Sequence, residues 1–164
     1  MQVTAELPYA SGPGWESVDL PYRHSDLVMR ILLPAAGREP TELLRSPVLV
    51  APAQPRRLQL YLPKWTFSSK ADLSRLGPPE LFGPGADLNG ITPGAELKSA
   101  THQAFIAVDE QGTEAAAATN FGIATSAQMP PPTIVRADRP FAFAILHRPT
   151  GIPLFIGRVT APNS

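Results

Sequence analysis

Proline is the feature that most constrains how this chain can fold. The chain has 20 prolines among 164 residues, more than twice the usual proportion of about 5%. Proline lacks the amide hydrogen that helices and central strands need, so it is confined to element ends, edge strands and turns. The sequence therefore predicts short strands joined by many turns and argues against long helices.

Short apolar runs bounded by proline or glycine predict the strands. The clearest is Leu58–Leu62, where leucines at alternate positions share one face and Pro63 ends the run. The predicted strands are Asp26–Leu33, Leu58–Leu62, Ala104–Val108, Phe141–Leu146 and Leu154–Val159. Ala104–Val108 is expected to be buried. The last two flank Pro149-Thr150-Gly151 and are expected to form an antiparallel hairpin.

Helical signals are weak and two connections stand out. Thr41–Arg45 and Ser69–Leu76 are predicted as short helices, the second with Ser69 as its N-cap. Leu44–Arg57 has no clear periodicity and is predicted to be a flexible connection. Gly112–Pro132 is a second connection, and its length of about 20 residues is unusual inside a compact domain unless the loop is functional or disordered.

Composition excludes several classes of function. The chain has 14 basic and 14 acidic residues and no cysteine. A zero net charge gives no electrostatic case for binding nucleic acid or an anionic membrane surface. Without cysteine there are no disulfides, zinc–thiolate sites or cysteine nucleophiles. No apolar run reaches the ~18–20 residues of a membrane-spanning helix.

The chain carries no recognisable catalytic or cofactor motif. Its three histidines, His24, His102 and His147, leave a Ser/His/Asp triad open by count alone. However, the motifs of serine hydrolases, zinc proteases, phosphate loops and dinucleotide-binding folds are all missing. The sequence thus predicts a protein that is not an enzyme and needs no metal or cofactor. From the residues alone, His102 is expected to be a hydrogen-bonded core histidine, and Lys64 and Glu110 to be solvated charges at strand ends.

The connection Gly112–Pro132 has the composition of a segment that can become a strand. Alternate positions from Thr113 are all uncharged, so one face of an extended segment can be buried; they are Thr113, Ala115, Ala117, Thr119, Phe121 and Ile123. Glu114 falls on the opposite face, where it can stay in water. A simple linker has no need for this pattern, so we expect the segment to be able to enter a sheet.

At these residues the chain resembles the serpins. Val108–Thr119 is similar to the hinge of inhibitory serpins, and Arg139-Pro140-Phe141 with Leu154–Val159 resembles their C-terminal strands. Leu20-Pro21-Tyr22, Leu62-Pro63-Lys64 and Ala86–Ile91 match further upstream in the same order. The implied fold class is α+β and mainly antiparallel β: one partial serpin domain over residues 1–164, with the C-terminal parts of the three sheets, few short helices and a reactive-centre loop at 112–132.

The resemblance implies inhibition of serine proteases by loop cleavage and insertion into a central sheet. It places the reactive bond at Ser126–Ala127, or one residue earlier at Thr125. The implied hinge consists of Glu110, Gly112, Thr113, Glu114, Ala115, Ala116, Ala117 and Ala118. It also implies that His102 lies at the shutter of the central sheet, and that Lys64 and Glu110 form a pair at the breach, where insertion begins.

The small residue before the implied reactive bond suggests an elastase-like or subtilisin-like protease as the partner. Trypsin-like enzymes are disfavoured because no Lys or Arg lies between Gly112 and Val135. Relatives of this kind imply an extracellular location. The N-terminal half of a serpin domain is not represented, and we expect it to be encoded separately if the inhibitor is complete. The alternative is a non-inhibitory serpin remnant that acts as a binding module or has no function.

Overall fold

The computed structural model describes residues 1–74, 79–82, 86, 88, 90, 92, 97–109 and 130–162. The chain divides into two compact units, one formed by Met1–Lys64 with Val108–Ser164 and the other by Trp65–Ala107. The predicted hinge from Glu110 to Ala118 and the predicted reactive bond lie outside the described residues. The structure therefore does not test these two predictions.

Strands dominate the described part of the chain. They are β1 (Gln2–Gly12), β2 (Trp15–Pro21), β3 (Leu27–Pro34), β4 (Gln54–Tyr61), β5 (Trp65–Asp72), β6 (Thr101–Val108), β7 (Thr133–Arg136), β8 (Phe141–His147) and β9 (Ile152–Val159). The helices are α1 (Thr41–Leu44) and two 3₁₀ turns, Pro47–Val50 and Pro79–Leu81. None of the helices within the described ranges is long and apolar enough to cross a membrane.

The first unit is a seven-stranded sheet in the order β7-β4-β1-β2-β3-β8-β9. Every neighbouring pair is antiparallel except β4 and β7, which are parallel. β1 joins the two parts of the sheet, because residues 2–9 pair with β4 and residues 9–12 pair with β2. Tyr9 is the residue where the two pairings meet, opposite both Gln54 and Val18.

β1 forms where polar and apolar residues alternate strictly, and it was not among the predicted strands. Val3, Ala5 and Leu7 are buried, and the polar residues between them are exposed. Period-two alternation is the pattern of a strand with one solvated face. The omission arose because the segment has few β-branched residues and contains Pro8, which ordinarily ends a strand.

Both faces of the sheet are covered around β3. On one face Val18, Ile31 and Phe143 lie in register across β2, β3 and β8 and are almost fully buried. On the other face α1 and the first 3₁₀ turn cover the strands. Leu32 and Ala142 pack with Leu43, Leu44, Val48 and Leu49 there, and Val28, Ala144 and Leu146 pack with Leu44 and Leu49.

A buried ion pair lies between β2 and β3. Arg30 donates from Nε and Nη2 to the two carboxylate oxygens of Asp19 at 2.6 and 2.8 Å. Its Nη1 donates to the carbonyl oxygens of Leu49 at 3.0 Å and Ala51 at 2.8 Å. The guanidinium therefore ties the sheet to the chain segment that covers it, and its charge is fully compensated.

Five predicted strands and the helix at Thr41 are confirmed, with ends shifted by a few residues. The hairpin of β8 and β9 is also confirmed, and Gly151 in its turn has a φ of 68°. The helix predicted at Ser69–Leu76 is wrong, since β5 runs to Asp72 and pairs with β6. Leu44–Arg57 is not a plain connection, because it contains a 3₁₀ turn and the start of β4.

The second unit contains the two-stranded sheet of β5 and β6. The amide of Leu73 donates to the carbonyl of Ala100 at 2.8 Å, so the end of β5 meets the start of β6. Burial of β6 was predicted, and this is wrong: Phe105 is 70% exposed, and no residue of the strand is buried. A two-stranded sheet without a covering layer leaves both faces in water.

Replacing Asp19 with alanine is expected to destabilise the chain strongly. The change leaves the buried Arg30 charge without its carboxylate, which typically costs about 3–5 kcal/mol. Urea unfolding followed by circular dichroism measures the loss. The matched control is Glu39→Ala, which removes the exposed Arg158–Glu39 pair at 2.9 Å and should cost less than about 1 kcal/mol. Equal losses in the two variants would contradict a structural role for the buried pair.

Replacing Gly157 with alanine is expected to raise the free energy of the folded chain by about 1–3 kcal/mol. A Cβ at this position would overlap the ring of Phe143 on the neighbouring strand. Thermal unfolding of Gly157→Ala measures the effect. Gly90→Ala is the control, because no atom of the residues that the structure describes lies within 4 Å of its added Cβ. A normal melting temperature for Gly157→Ala would show that the ring is free to move aside.

Candidate functional site

Two strands bracket the segment predicted to be the reactive loop. β6 ends at Val108, followed by the exposed Asp109, and the described chain resumes at Pro130 before β7 begins at Thr133. β6 and β7 are therefore two separate candidate attachments of this segment.

β6 provides the attachment before the hinge. Among the described residues β6 pairs with β5 alone, so its second edge has no strand partner in that part of the chain. A segment that turns back directly after β6 is placed to pair antiparallel with this edge. The prediction that His102 is a core histidine is wrong, since His102 is exposed on β6. Its predicted shutter role stays a prediction.

β7 provides the attachment after the loop. It pairs in parallel with the end of β4, with Leu60 opposite Val135 and Tyr61 opposite Arg136. Val135 is fully buried, whereas Ile134 is 55% exposed at the sheet edge. The Arg136 guanidinium stacks 4.0 Å from the centre of the Tyr61 ring, an arrangement that adds a modest cation–π attraction.

Arg139, three residues beyond β7, makes the densest set of contacts at this attachment. Its Nε donates to the carbonyl of Pro34 on β3 at 2.8 Å, and its Nη2 donates to Glu16 Oε1 on β2 at 3.2 Å. Its Nη1 donates to the carbonyl of Arg136 at 3.3 Å and lies 3.7 Å from the Asp138 carboxylate. One guanidinium thus connects the last residue of β7 to two central strands.

Glu16 extends this network to β1 and β4. Its second oxygen accepts a hydrogen bond from the Tyr9 hydroxyl at 3.2 Å, and Arg56 lies 5.2 Å from the centre of the Tyr9 ring. Burial raises the pKa of the Tyr9 hydroxyl above its ordinary value of 10.0, and the Glu16 charge raises it further. Tyr9 therefore remains a neutral hydrogen-bond donor to Glu16 at physiological pH.

Lys64 follows β4 and is exposed, as predicted for a charge at a strand end. It lines an open cavity of about 400 Å³ together with Tyr61, Arg136 and Asp138. Its predicted partner Glu110 lies outside the described residues. The breach pair therefore stays a prediction.

The described residues contain no group of three or more His, Asp or Glu side chains arranged to hold a metal ion.

Sequence reasoning did not assign a role to Arg139, Glu16 or Tyr9. Arg139 was noted only as part of the Arg139-Pro140-Phe141 motif. Its contacts to Pro34 and Glu16 span 105 and 123 residues of sequence, so no local spacing indicates them. Arg139 lies three residues after the short edge strand β7, and that position alone is insufficient to identify its partners.

Comparison with known proteins identifies the family of the chain. The family model for serpin (serine protease inhibitor) matches residues 1–162. A leukocyte elastase inhibitor from Sus scrofa is 38% identical over 163 residues, covering 88% of this chain and 43% of the relative. A serine protease inhibitor from Cyanea capillata is 36% identical and covers 99% of this chain and 47% of the relative.

Solved structures show the same fold. A serpin from the trematode Schistosoma haematobium superposes with a TM-score of 0.78 at 23% identity, covering 99% of this chain and 46% of that one. Uncleaved ovalbumin superposes with a TM-score of 0.76 at 22% identity, covering 99% of this chain and 44% of that one. The chain spans less than half the length of these relatives. With the family match over nearly all its residues, the chain belongs to the serpin family.

Proposed function

We propose that this chain carries the reactive-loop part of a serpin domain that inhibits serine proteases. In this proposal a protease cleaves the loop as a substrate, and the hinge then inserts beside β6 while the enzyme is still attached. The observation that carries the proposal is the position of the hinge. The hinge begins at Glu110, two residues after the end of β6, and the second edge of β6 has no strand partner among the described residues.

The composition of the hinge supports insertion as a strand. An entering strand must bury one face against the body of the domain, and a charge on that face would carry a large desolvation cost. Thr113, Ala115 and Ala117 share that face and carry no charge. Glu114 lies on the other face and can remain in water. The hinge residues Glu110, Gly112, Ala116 and Ala118 complete the segment that would enter.

The proposed reactive bond is Ser126–Ala127, with Thr125–Ser126 as the alternative. A small residue before the bond suits proteases whose specificity pockets are shallow, such as elastase and subtilisin. The relative from Sus scrofa is named as an inhibitor of leukocyte elastase, which is consistent with this substrate class. Trypsin-like enzymes are disfavoured because no Lys or Arg lies between Gly112 and Val135.

A second candidate is a serpin segment that does not inhibit by itself. Two observations favour it: the chain spans 43% of its Sus scrofa relative, and β6 has a single neighbour among the described strands. Insertion between two strands satisfies both edges of the entering segment, whereas addition to one edge satisfies only half of its backbone groups. In this case the chain is a non-inhibitory remnant that acts as a binding module or has no function.

The 164-residue chain alone is expected to be cleaved by pancreatic elastase and by subtilisin without trapping either enzyme. The described part of the chain offers one strand edge, so insertion is too weakly favoured to outpace completion of hydrolysis. Mass spectrometry should locate the cut at Ser126–Ala127 or at Thr125–Ser126, and a denaturing gel should show two fragments. A covalent complex that survives SDS would show instead that this chain is sufficient for inhibition.

Grafting residues 109–132 into the matching segment of the Sus scrofa relative is expected to give an elastase inhibitor that forms an SDS-stable complex. The relative supplies the rest of the domain, so the graft tests the loop itself. The matched control is the same graft with Thr113→Arg, which places a charge on the inserting face. It should be cleaved at the same bond but form at least about tenfold less complex, since burying an unpaired charge costs several kcal/mol.

The outcome of the graft separates the two candidates. A graft that is cut at Ser126–Ala127 without forming any complex would contradict the inhibitory loop and favour the non-inhibitory segment. Cleavage only at other bonds would contradict the proposed reactive bond.

A further inference from the structure

We propose that Arg139 is a positioning residue that holds β7 on the sheet and thereby confines protease attack to the loop. This inference rests on the proposed function, because it assumes that a protease engages the segment before Pro130. It adds a residue that acts after the loop, at a distance from the reactive bond and from the hinge.

β7 is the weakest strand of the seven-stranded sheet by its own contacts. It has four residues, lies at the sheet edge and pairs in parallel with the end of β4 alone. A short parallel edge pairing contributes few backbone hydrogen bonds. A protease that binds the adjacent loop requires an extended substrate, so its binding favours any state in which neighbouring residues leave the sheet.

Arg139 opposes that detachment from directly behind β7. Its bond to the carbonyl of Arg136 holds the last residue of the strand, and its bonds to Pro34 and Glu16 fix the guanidinium to β3 and β2. The amide of Ala137, in the same segment, donates to the carbonyl of Tyr61 at 2.8 Å. β7 is therefore closed at its far end by contacts outside its own ladder.

The planar guanidinium suits this task better than other side chains. It offers five donors in a fixed plane, so it can serve three acceptors on three elements at once. Glu16 is itself held by Tyr9, which keeps the carboxylate aimed at Arg139. Lysine has one nitrogen on a flexible stem and cannot reproduce the same set of contacts.

The burial of Val135 makes detachment measurable. Val135 is fully buried in the folded chain, so a protease can cut beside it only when β7 has left the sheet. Elastase accepts small aliphatic residues, so cleavage after Val135 reports the population of the detached state. Cleavage before Pro130 reports the loop itself.

The test compares elastase digestion of the 164-residue chain with that of Arg139→Ala, Arg139→Lys and Glu16→Gln. We expect cleavage within 133–137 to become about tenfold faster in Arg139→Ala. The substitution removes several hydrogen bonds that stabilise the state in which β7 is paired in the sheet. Arg139→Lys and Glu16→Gln should both fall between the unaltered chain and Arg139→Ala, because each weakens only part of the set of contacts. Amide hydrogen exchange of residues 133–136 should rise in parallel.

Arg158→Ala is the matched control, since it removes another arginine with an ion pair, to Glu39, and should leave both readouts unchanged. Amide hydrogen exchange in β2 and β3 distinguishes a positioning role from a general effect on stability. If Arg139 were merely structural, its replacement would raise the exchange rate in β2 and β3 as much as in β7. Unchanged cleavage within 133–137 in Arg139→Ala, or equal acceleration of exchange in all three strands, would overturn the proposal. If Arg139→Ala does not fold, the same comparison in Arg139→Lys decides.

The outcome is separable from that of the proposed function. If the unaltered chain is not cut at Ser126–Ala127 or Thr125–Ser126, the proposed reactive bond is contradicted. The exchange of residues 133–136 then still decides whether Arg139 holds β7.

Discussion

β1 is the strand on which the rest of the first unit depends. Its first eight residues pair with β4 and its last four pair with β2, and Tyr9 takes part in both pairings. Among the described strands, β4 and β7 are joined to β2, β3, β8 and β9 by backbone pairing only through β1. The backbone pairing of the segment that resumes at residue 130 therefore depends on a strand near the start of the chain.

Two arginines then stabilise the sheet in different ways. Arg30 is buried, with both the Asp19 carboxylate and two carbonyls as partners, and it ties the sheet to its covering helices. Arg139 is partly exposed and connects strand ends. A buried ion pair whose charges are fully compensated matters mainly because removing one partner costs a large free energy. A partly exposed ion pair adds little stabilising free energy through its charges alone. The value of Arg139 lies in its geometry, because it reaches three elements that otherwise meet only through the sheet.

How much of the fold could be predicted from the sequence depended on the kind of sequence pattern. Runs such as Phe141–Leu146 are readily predicted as strands, because their apolar residues are continuous and bounded by turns. The sequence predicts a short helix at Ser69–Leu76 with Ser69 as its N-cap, and the pairing of β5 with β6 overrides that weak preference. The exposure of Phe105 could not be predicted from the sequence either, because the burial of a strand depends on what covers it rather than on the strand itself.

The sequence by itself indicated the strand-rich fold class, through proline spacing and apolar runs, and the family, through its resemblance to serpin motifs. It also predicts the reactive-centre loop at 112–132, which that resemblance implies. Only the tertiary structure decided which strands are neighbours, that β7 closes the edge beside β4, and that Arg139 is the residue that secures it. The reason is physical, since these contacts join residues that are distant in sequence, more than 100 positions apart for the Arg139 bonds to Pro34 and Glu16, and such contacts leave no periodic trace in the chain.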